Sequence, residues 1–513
     1  MEGFERFLYW IFTFLAVIAG SFWLFYLWSM RKFRFWKDRG IAYIEPSFPF
    51  GNTKGIFKKI RFSVLLTNLY NKFKGKEKFV GLYLFMRPIG TTTDPDLVKQ
   101  ILVKDFNNFH DRGLYHNIKD DPLSGHLFTL EGEPWRVLRA KMSPTFTSGK
   151  IKMMFHIMVE VTKELQKIVD EQIKSTNEFN ISDIMARFTM DIIGNCAFGI
   201  ECNALKNPDE ELMVFGKKFF IPSRKQMMRQ TFFSLFPDLA RKLGVPAIDE
   251  TVSSFFMRVI TETVKYREQN KVVRPDFMDL LLKLKNSGTI EVDGKEEKTG
   301  LITLNELAAQ CLVFFLAGFE TSSTTISFCL YELAHNPDIQ EKLRKEIMQS
   351  LEETNGMPTY EAVMGMKYLE KVINETLRKY PAVEMLARKA KNDYPIEGTS
   401  VTIPGNTLIF IPIYTVHHDS NIYPEPDKFD PERFSEENVR SRHPYTYLPF
   451  GEGPRNCIGM RFGLLQTRIG IITMLSNYRL TVCDKTPKAP LEFMPTSIVL
   501  KVQSGIWLRM DKL

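Results

Sequence analysis

Cys457 stands in the segment Phe450-Gly451-Glu452-Gly453-Pro454-Arg455-Asn456-Cys457-Ile458-Gly459, where glycines, a proline and an arginine crowd one thiol. The thiolate is the form that ligates metals. A loop leading into a helix N-terminus favours it by supplying N–H groups and the positive end of a dipole. The competing reading is a buried, inert cysteine in a glycine turn. A second constellation, Ala317-Gly318-Phe319-Glu320-Thr321-Ser322, sets a carboxyl beside a hydroxyl, and such a pair can hold and pass protons. Taken alone it fits helix packing equally well. A third, Glu375 with Arg378, places opposite charges three apart on one helix face. That spacing is common and carries weight only through its distance to other motifs.

These groups need elements to hold them. Thr303 and Glu306 form a capping box, so a long helix is predicted from about Thr303 to Asn336, where Pro337 stops it. Residues 307–331 carry one charge, Glu320, so a second membrane span competes with a buried axis. Gln310, Glu320 and the hydroxyls 321–325 favour the buried axis, with a site at the polar interruption. Residues 79–90 alternate as strands do, and 150–200 and 205–285 have helical periodicity. Phe215, Phe219, Phe220, Ile221, Phe232, Phe233, Leu235 and Phe236 crowd together. They are either core or a surface that dips into a membrane or guards a cavity entrance. The charged stretch 285–300 is expected to be a surface loop.

Residues 7–30 hold no charged side chain, enough helix to cross a bilayer. No convincing cleavage site follows them, so they are predicted to be a signal anchor. Arg31, Lys32, Arg34, Lys37 and Arg39 come next, which by the positive-inside rule leaves the rest in the cytosol. Residues 1–30 are therefore expected to be the anchor and 31–513 the domain, with a hinge at Pro46, Pro49 and Gly51.

The net charge of +8 is spread along the 513 residues, so nucleic-acid binding finds little support, whereas a basic face for an acidic protein partner fits. The 42 Phe and 23 Met supply apolar surface for a core or a greasy cavity. Of the six cysteines no two form a C-x-x-C. Cys311 and Cys329 on one helix would lie about 27 Å apart, too far to bridge. All but Cys457 are expected to be reduced and inert.

The Cys457 segment resembles the haem-binding signature of the cytochrome P450 superfamily, F-x-x-G-x-R-x-C-x-G, with all five fixed positions filled. The 317–322 segment matches that family's oxygen-activation pattern, and Glu375-x-x-Arg378 with Pro431-Glu432-Arg433-Phe434 matches its buried Glu–Arg–Arg network. Trp135-Arg136-Val137-Leu138-Arg139 matches its W-x-x-x-R. Residues 142–148 and 450–460 look most like insect microsomal enzymes of the xenobiotic-metabolising kind.

The resemblance implies a mainly helical fold with a smaller β-rich lobe and haem b as the cofactor. Cys457 would be the thiolate ligand of the iron, pushing electron density toward O–O cleavage. Gly453 and Gly459 would let the loop wrap beneath the sulfur, and Phe450 would shield it from water. Arg455, Trp135 and Arg139 would bind the propionates, with Arg112 and Arg388 as further contacts. Gly318 would open a groove for dioxygen, with Thr321 as the hydroxyl beside it and Glu320 as the proton feed. Residues 115–128, 211–236, 310–321, 382–386 and 495–499 correspond to substrate-recognition regions for an apolar small molecule.

No dinucleotide fingerprint follows a strand, and the fifty-odd residues after Cys457 leave no room for a flavin domain. The resemblance therefore implies electrons from NADPH through a membrane-bound cytochrome P450 reductase, with cytochrome b5 as an optional donor, at the endoplasmic reticulum. Two rivals stand beside the monooxygenase. One is a haem–thiolate isomerase or dehydratase; such enzymes often lack the acid–threonine pair that is intact here. The other is a non-catalytic haem- or lipid-binding membrane protein, which would not need the pair.

Overall fold

The computed structural model describes residues 2–56, 60–292 and 294–513. The chain opens with a 31-residue helix, Glu2–Lys32, on which only Ser29 is buried. At 1.5 Å per residue it is about 46 Å long, longer than a bilayer core, and its exposed Phe, Trp and Leu side chains suit lipid rather than water. Packing begins directly after it. Phe33, Trp36 and Ile41 are buried in a cluster with Phe79 and Tyr83. The Trp36 Nε1–H donates to the Leu82 carbonyl at 3.1 Å. The hinge expected at 46–51 therefore lies inside the packed body: Ile44 already pairs with Gly81, and Asn52 Nδ2 donates to the Glu45 carbonyl.

A four-stranded sheet forms the smaller lobe, in the order Phe79–Leu84, Arg87–Thr92, Leu408–Ile411, Leu386–Lys389. The second and third strands run parallel and the other neighbours antiparallel. Both faces of Phe79–Leu84 are covered, so its alternation does not sort buried from exposed. Residues 285–300 are not a plain loop. They contain a two-stranded hairpin, Thr289–Val292 with Lys295–Lys298, whose second strand is wholly exposed; residue 293 lies outside the described residues.

The helical lobe is built around Leu304–His335. Its capping box is formed as the sequence predicts: Glu306 N–H donates to Thr303 Oγ1 at 3.1 Å and Thr303 N–H to Glu306 Oε2 at 2.7 Å. Its apolar stretch is 78% buried within the protein, which makes it the axis of the core and not a second span. Ser323, Thr325 and Ser327 donate to carbonyls three or four residues back on their own helix.

The crowded aromatics divide. Phe220 is buried, and Phe215 stacks on Phe255 at 4.1 Å. Ile221, Phe236, Leu239 and Leu243 are exposed. The first group is core, and the second is an apolar surface next to it.

Candidate active site: a cysteine loop clamped to the central helix

The loop from Phe450 to Gly459 is closed by its own backbone. Cys457 N–H donates to the Phe450 carbonyl at 2.9 Å and Asn456 N–H to the Gly453 carbonyl at 3.0 Å. Gly453 is obligatory here: its φ is +76°, and a Cβ would lie 2.0 Å from the Leu102 carbonyl oxygen. Gly459 is not under that constraint, since it caps the helix Met460–Asn477 at φ −89°. Its N–H favours the Cys457 thiolate. Burial pushes the Cys457 thiol up, while that N–H and the charges of Arg139 and Arg112 pull it down. Cys457 keeps accessible surface even so. Cys196, Cys202, Cys311 and Cys329 are buried thiols pushed up by burial, as inert cysteines are. Cys483 is half-buried.

The helix Met460–Asn477 seats this loop on the central helix. Gln466 Nε2 donates to the Gly318 carbonyl at 3.3 Å, and a Cβ at Gly463 would lie 3.8 Å from Ser322 Oγ. From the other side Thr189 Oγ1 donates to the Phe319 carbonyl at 3.0 Å. Between these clamps Ala317 is exposed and Gly318 and Thr321 are half-exposed, although Leu316 and Phe319 beside them are buried. Those three positions share one open face of the helix. A Cβ on Gly318 would lie 2.6 Å from Ile193 Cδ1, so the glycine also lets this helix pack closely on its neighbour. Thr321 Oγ1 donates to the Ala317 carbonyl, and Glu320 turns away to Lys501, with Oε1 and Nζ 2.7 Å apart. Acid and hydroxyl are adjacent in sequence but not bonded to each other.

Around the loop four arginines converge. Arg112 Nη1 donates to the Phe128 carbonyl at 3.0 Å and Nη2 to the Arg455 carbonyl at 3.2 Å. Arg139 donates to the Asn456 carbonyl at 3.1 Å and to Asn456 Oδ1 at 3.0 Å. Arg455 lies over the Trp135 ring, 4.4 Å from its centre, and donates one Nη–H to the Leu130 carbonyl. Arg388 is buried on its strand and donates Nη1–H to the Ala387 carbonyl. Arg455 Nε and Nη1, and Arg388 Nε and Nη2, are buried without partners. None of the four arginines has an acidic side chain in salt-bridge range among the described residues. Burial first, and like charge second, pull Arg112 and Arg388 down to about 9. Arg455 is drawn down to about 9 by burial and the Arg388 charge, with Asp111 and Glu131 opposing. Such a cluster is costly unless anions neutralise it.

Below the loop Glu375 and Arg378 form a fully buried pair at 2.7 Å, and Arg433 Nε approaches Glu375 Oε1 at 3.4 Å. Phe450, at the head of the loop, is half-buried.

Residues 46–509 match the family model described as Cytochrome P450. The chain belongs to the cytochrome P450 family. Cytochrome P450 6a2 of Drosophila melanogaster is 45% identical over 502 residues, covering 97% of this chain and 99% of that protein. Cytochrome P450 6A1 of Musca domestica is 44% identical over 501 residues, covering 97% of each. The P450 is thus a monooxygenase, mostly helical with small sheets, and is similar to insect enzymes of the P450 6 kind. Membership carries haem iron and dioxygen use, electron supply from a reductase, and apolar substrates.

Three residues that hold the site were not legible in the sequence. Gln466 is a mid-helix glutamine, Asn456 a variable position inside the signature, and Lys501 a lone lysine among apolar neighbours. Only Asn456, inside a recognised motif, carried any signal.

Proposed function

We propose that this P450 inserts one oxygen atom into apolar small molecules, xenobiotics such as plant toxins or insecticides or endogenous hormones and lipids. The electrons come from NADPH through cytochrome P450 reductase, with cytochrome b5 as an optional second donor. The reading rests above all on the arginine cluster. Four buried guanidinium nitrogens without partners, on Arg388 and Arg455, suit the two carboxylates of haem b. Arg112, Arg139 and Trp135 complete that cradle, and Cys457 is the iron ligand with Phe450 at its side. When bound, the haem supplies the iron at which dioxygen is reduced.

The chain's own residues do the rest. The Gly459 N–H and the Arg139 and Arg112 charges favour the thiolate of Cys457. Ala317 and Gly318 give the slot a smooth wall. Thr321 presents a hydroxyl that passes its proton into the slot, and Glu320 is the acid that resupplies Thr321 Oγ1. The exposed helix Glu2–Lys32 supports a single-pass anchor in the endoplasmic reticulum membrane, with the domain on the cytosolic side. The apolar surface of Ile221, Phe236, Leu239 and Leu243 would rest on the same membrane.

Two measurements test this reading. Reconstituted with reductase and supplied with NADPH and a panel of apolar compounds, Thr321→Ala should lower product formed per NADPH by about tenfold. A positioned proton-transfer group contributes about 10² or more, and water entering the slot replaces part of it. Unchanged coupling removes Thr321 from the relay. Arg388→Met should raise the haem dissociation constant by about tenfold, the loss of one charge-assisted contact. Haem transfer to an excess acceptor protein reads it, and an unchanged transfer rate excludes Arg388 from the cradle.

A further inference from the structure

Residues 382–386 and 495–499, two of the segments that correspond to substrate-recognition regions, meet at one buried guanidinium that belongs to neither. Arg61 is the N-cap of the helix Phe62–Phe73, whose Phe62, Leu66 and Leu69 are buried against Ile89 and Leu408 of the four-stranded sheet, so packing fixes its backbone. Its side chain is 8% exposed and that of Glu384 5%. Arg61 Nε donates to Glu384 Oε2 at 2.8 Å, and Nη2 donates to the same oxygen. Nη1 donates to the Met494 carbonyl, and Nη2 also to the Ser497 carbonyl at 3.3 Å. Ser63 Oγ donates to the other carboxylate oxygen, Oε1, at 2.8 Å. The two segments are joined a second time by the Leu500 N–H, which donates to the Ala382 carbonyl at 3.0 Å. Each carries an exposed apolar side chain, Val383 on one and Ile498 on the other, while Ala382, Glu384, Ser497 and Val499 beside them are buried.

We propose that Arg61 is a positioning residue that sets specificity from outside the substrate site: its guanidinium locks residues 382–384 and 494–497 in one register, so that Val383 and Ile498 form a fixed apolar wall against a bulky apolar substrate. The proposal rests on the reading of the protein as a haem enzyme for apolar compounds given above. A guanidinium is planar and carries five donors in a fork, so one side chain serves the Glu384 carboxylate and two carbonyls of a distant segment at once. Glu384 supplies the opposite charge that makes a buried guanidinium tolerable. The carbonyl bonds are the further contribution. Residues 494–500 form neither helix nor strand, so their order depends on ties of this kind to the packed sheet lobe. Lysine at 61 would keep a charge beside Glu384, but as a point charge without the fork it would not hold the carboxylate and both carbonyls together.

The haem-loaded full-length protein is titrated with two azoles, each read by its Soret shift: imidazole, and clotrimazole, which carries an imidazole on a bulky triaryl group. Arg61→Lys should weaken clotrimazole binding by about fivefold, the scale of one lost hydrogen bond, and leave imidazole binding unchanged, because only the larger ligand reaches the wall. Its thermal midpoint should stay close to that of the wild type, since Glu384 keeps a charged partner. Glu384→Gln, which keeps an acceptor oxygen but loosens the hold on Arg61, should show the same selective loss and serves if Arg61→Lys does not load haem. Clotrimazole binding at wild-type strength overturns the proposal. Equal weakening of both azoles, the mark of a merely structural role, overturns it too. A wild-type protein that shifts its Soret band with both azoles keeps the haem-enzyme reading standing whatever Arg61→Lys does. A wild-type protein that responds to neither removes that reading, and the proposal falls with it.

Discussion

Replacing Cys457 by alanine should abolish the strongly red-shifted Soret band of the reduced carbon monoxide complex and lower turnover by about 10³-fold or more, because thiolate donation drives O–O cleavage. The loss belongs to the sulfur and not to the loop. Cys457 N–H bonds the Phe450 carbonyl through the backbone, and Gly451 and Gly453 set the turn whatever side chain follows. Alanine should therefore leave the fold intact, with unchanged far-ultraviolet dichroism. Cys196, Cys202, Cys311 and Cys329 are sealed in apolar core, with thiols driven up by burial, so none can substitute. A red-shifted band that persists in Cys457→Ala, or a wild-type spectrum like that of a histidine-ligated protein, would remove Cys457 as the ligand and the mechanism with it.

What the sequence revealed and what it hid have a common physical origin. Local rules settle features that depend on near neighbours. The capping box at Thr303 and the stop at Pro337 fix the central helix to within a residue, and the uncharged run 7–30 marks the exposed helix. The loop around Cys457 was legible because its glycines, arginine and cysteine are consecutive, so one segment states its own geometry. Features that join distant segments were not. Lys501 and Glu320 are 181 residues apart, and nothing near either predicts the pair. The direction of the missing side chain at Gly318 was equally hidden, since a Cβ there would point at Ile193 of a neighbouring helix. The hinge expected at Pro46 and Gly51 failed for a related reason. Prolines and glycines mark a turn wherever it lies, but the burial of Trp36 against Gly81 decides that the body has already begun. The hairpin at 289–298 escaped because its charged outer strand has no buried face to impose alternation.

Removing Glu375 should cost the fold about 3–5 kcal/mol, the usual penalty for leaving one member of a buried ion pair without its partner. Glu375 and Arg378 have no exposed side-chain surface, and Glu375 also accepts from the Asp430 N–H at 3.0 Å. Burial pushes the Glu375 carboxyl up despite its hydrogen bonds to Arg378. That sign matters. A carboxyl whose folded pKa lies above its unfolded value binds more protons in the folded state, so its contribution falls as pH rises through the interval between them. The pair is therefore no reservoir of stability at neutral pH; its worth is position. Arg378 carries that position outward, donating to the His417 carbonyl at 2.9 Å and the Pro426 carbonyl at 2.7 Å, while Arg433 donates to the Glu425 carbonyl at 2.9 Å. These bonds pin the irregular segment that leads to the Cys457 loop. Replacing both partners by apolar residues, often harmless for an isolated buried pair, should not rescue this one, because the buried His417 carbonyl and the half-buried Pro426 carbonyl would still lose their donors. Denaturant titration of Glu375→Gln, Arg378→Met and the double variant decides the matter. The double variant should be no more stable than Arg378→Met, and neither should yield haem-loaded protein at the wild-type level. A double variant that recovers wild-type stability would mean that the network is an ordinary ion pair and that something else holds the cysteine loop in place.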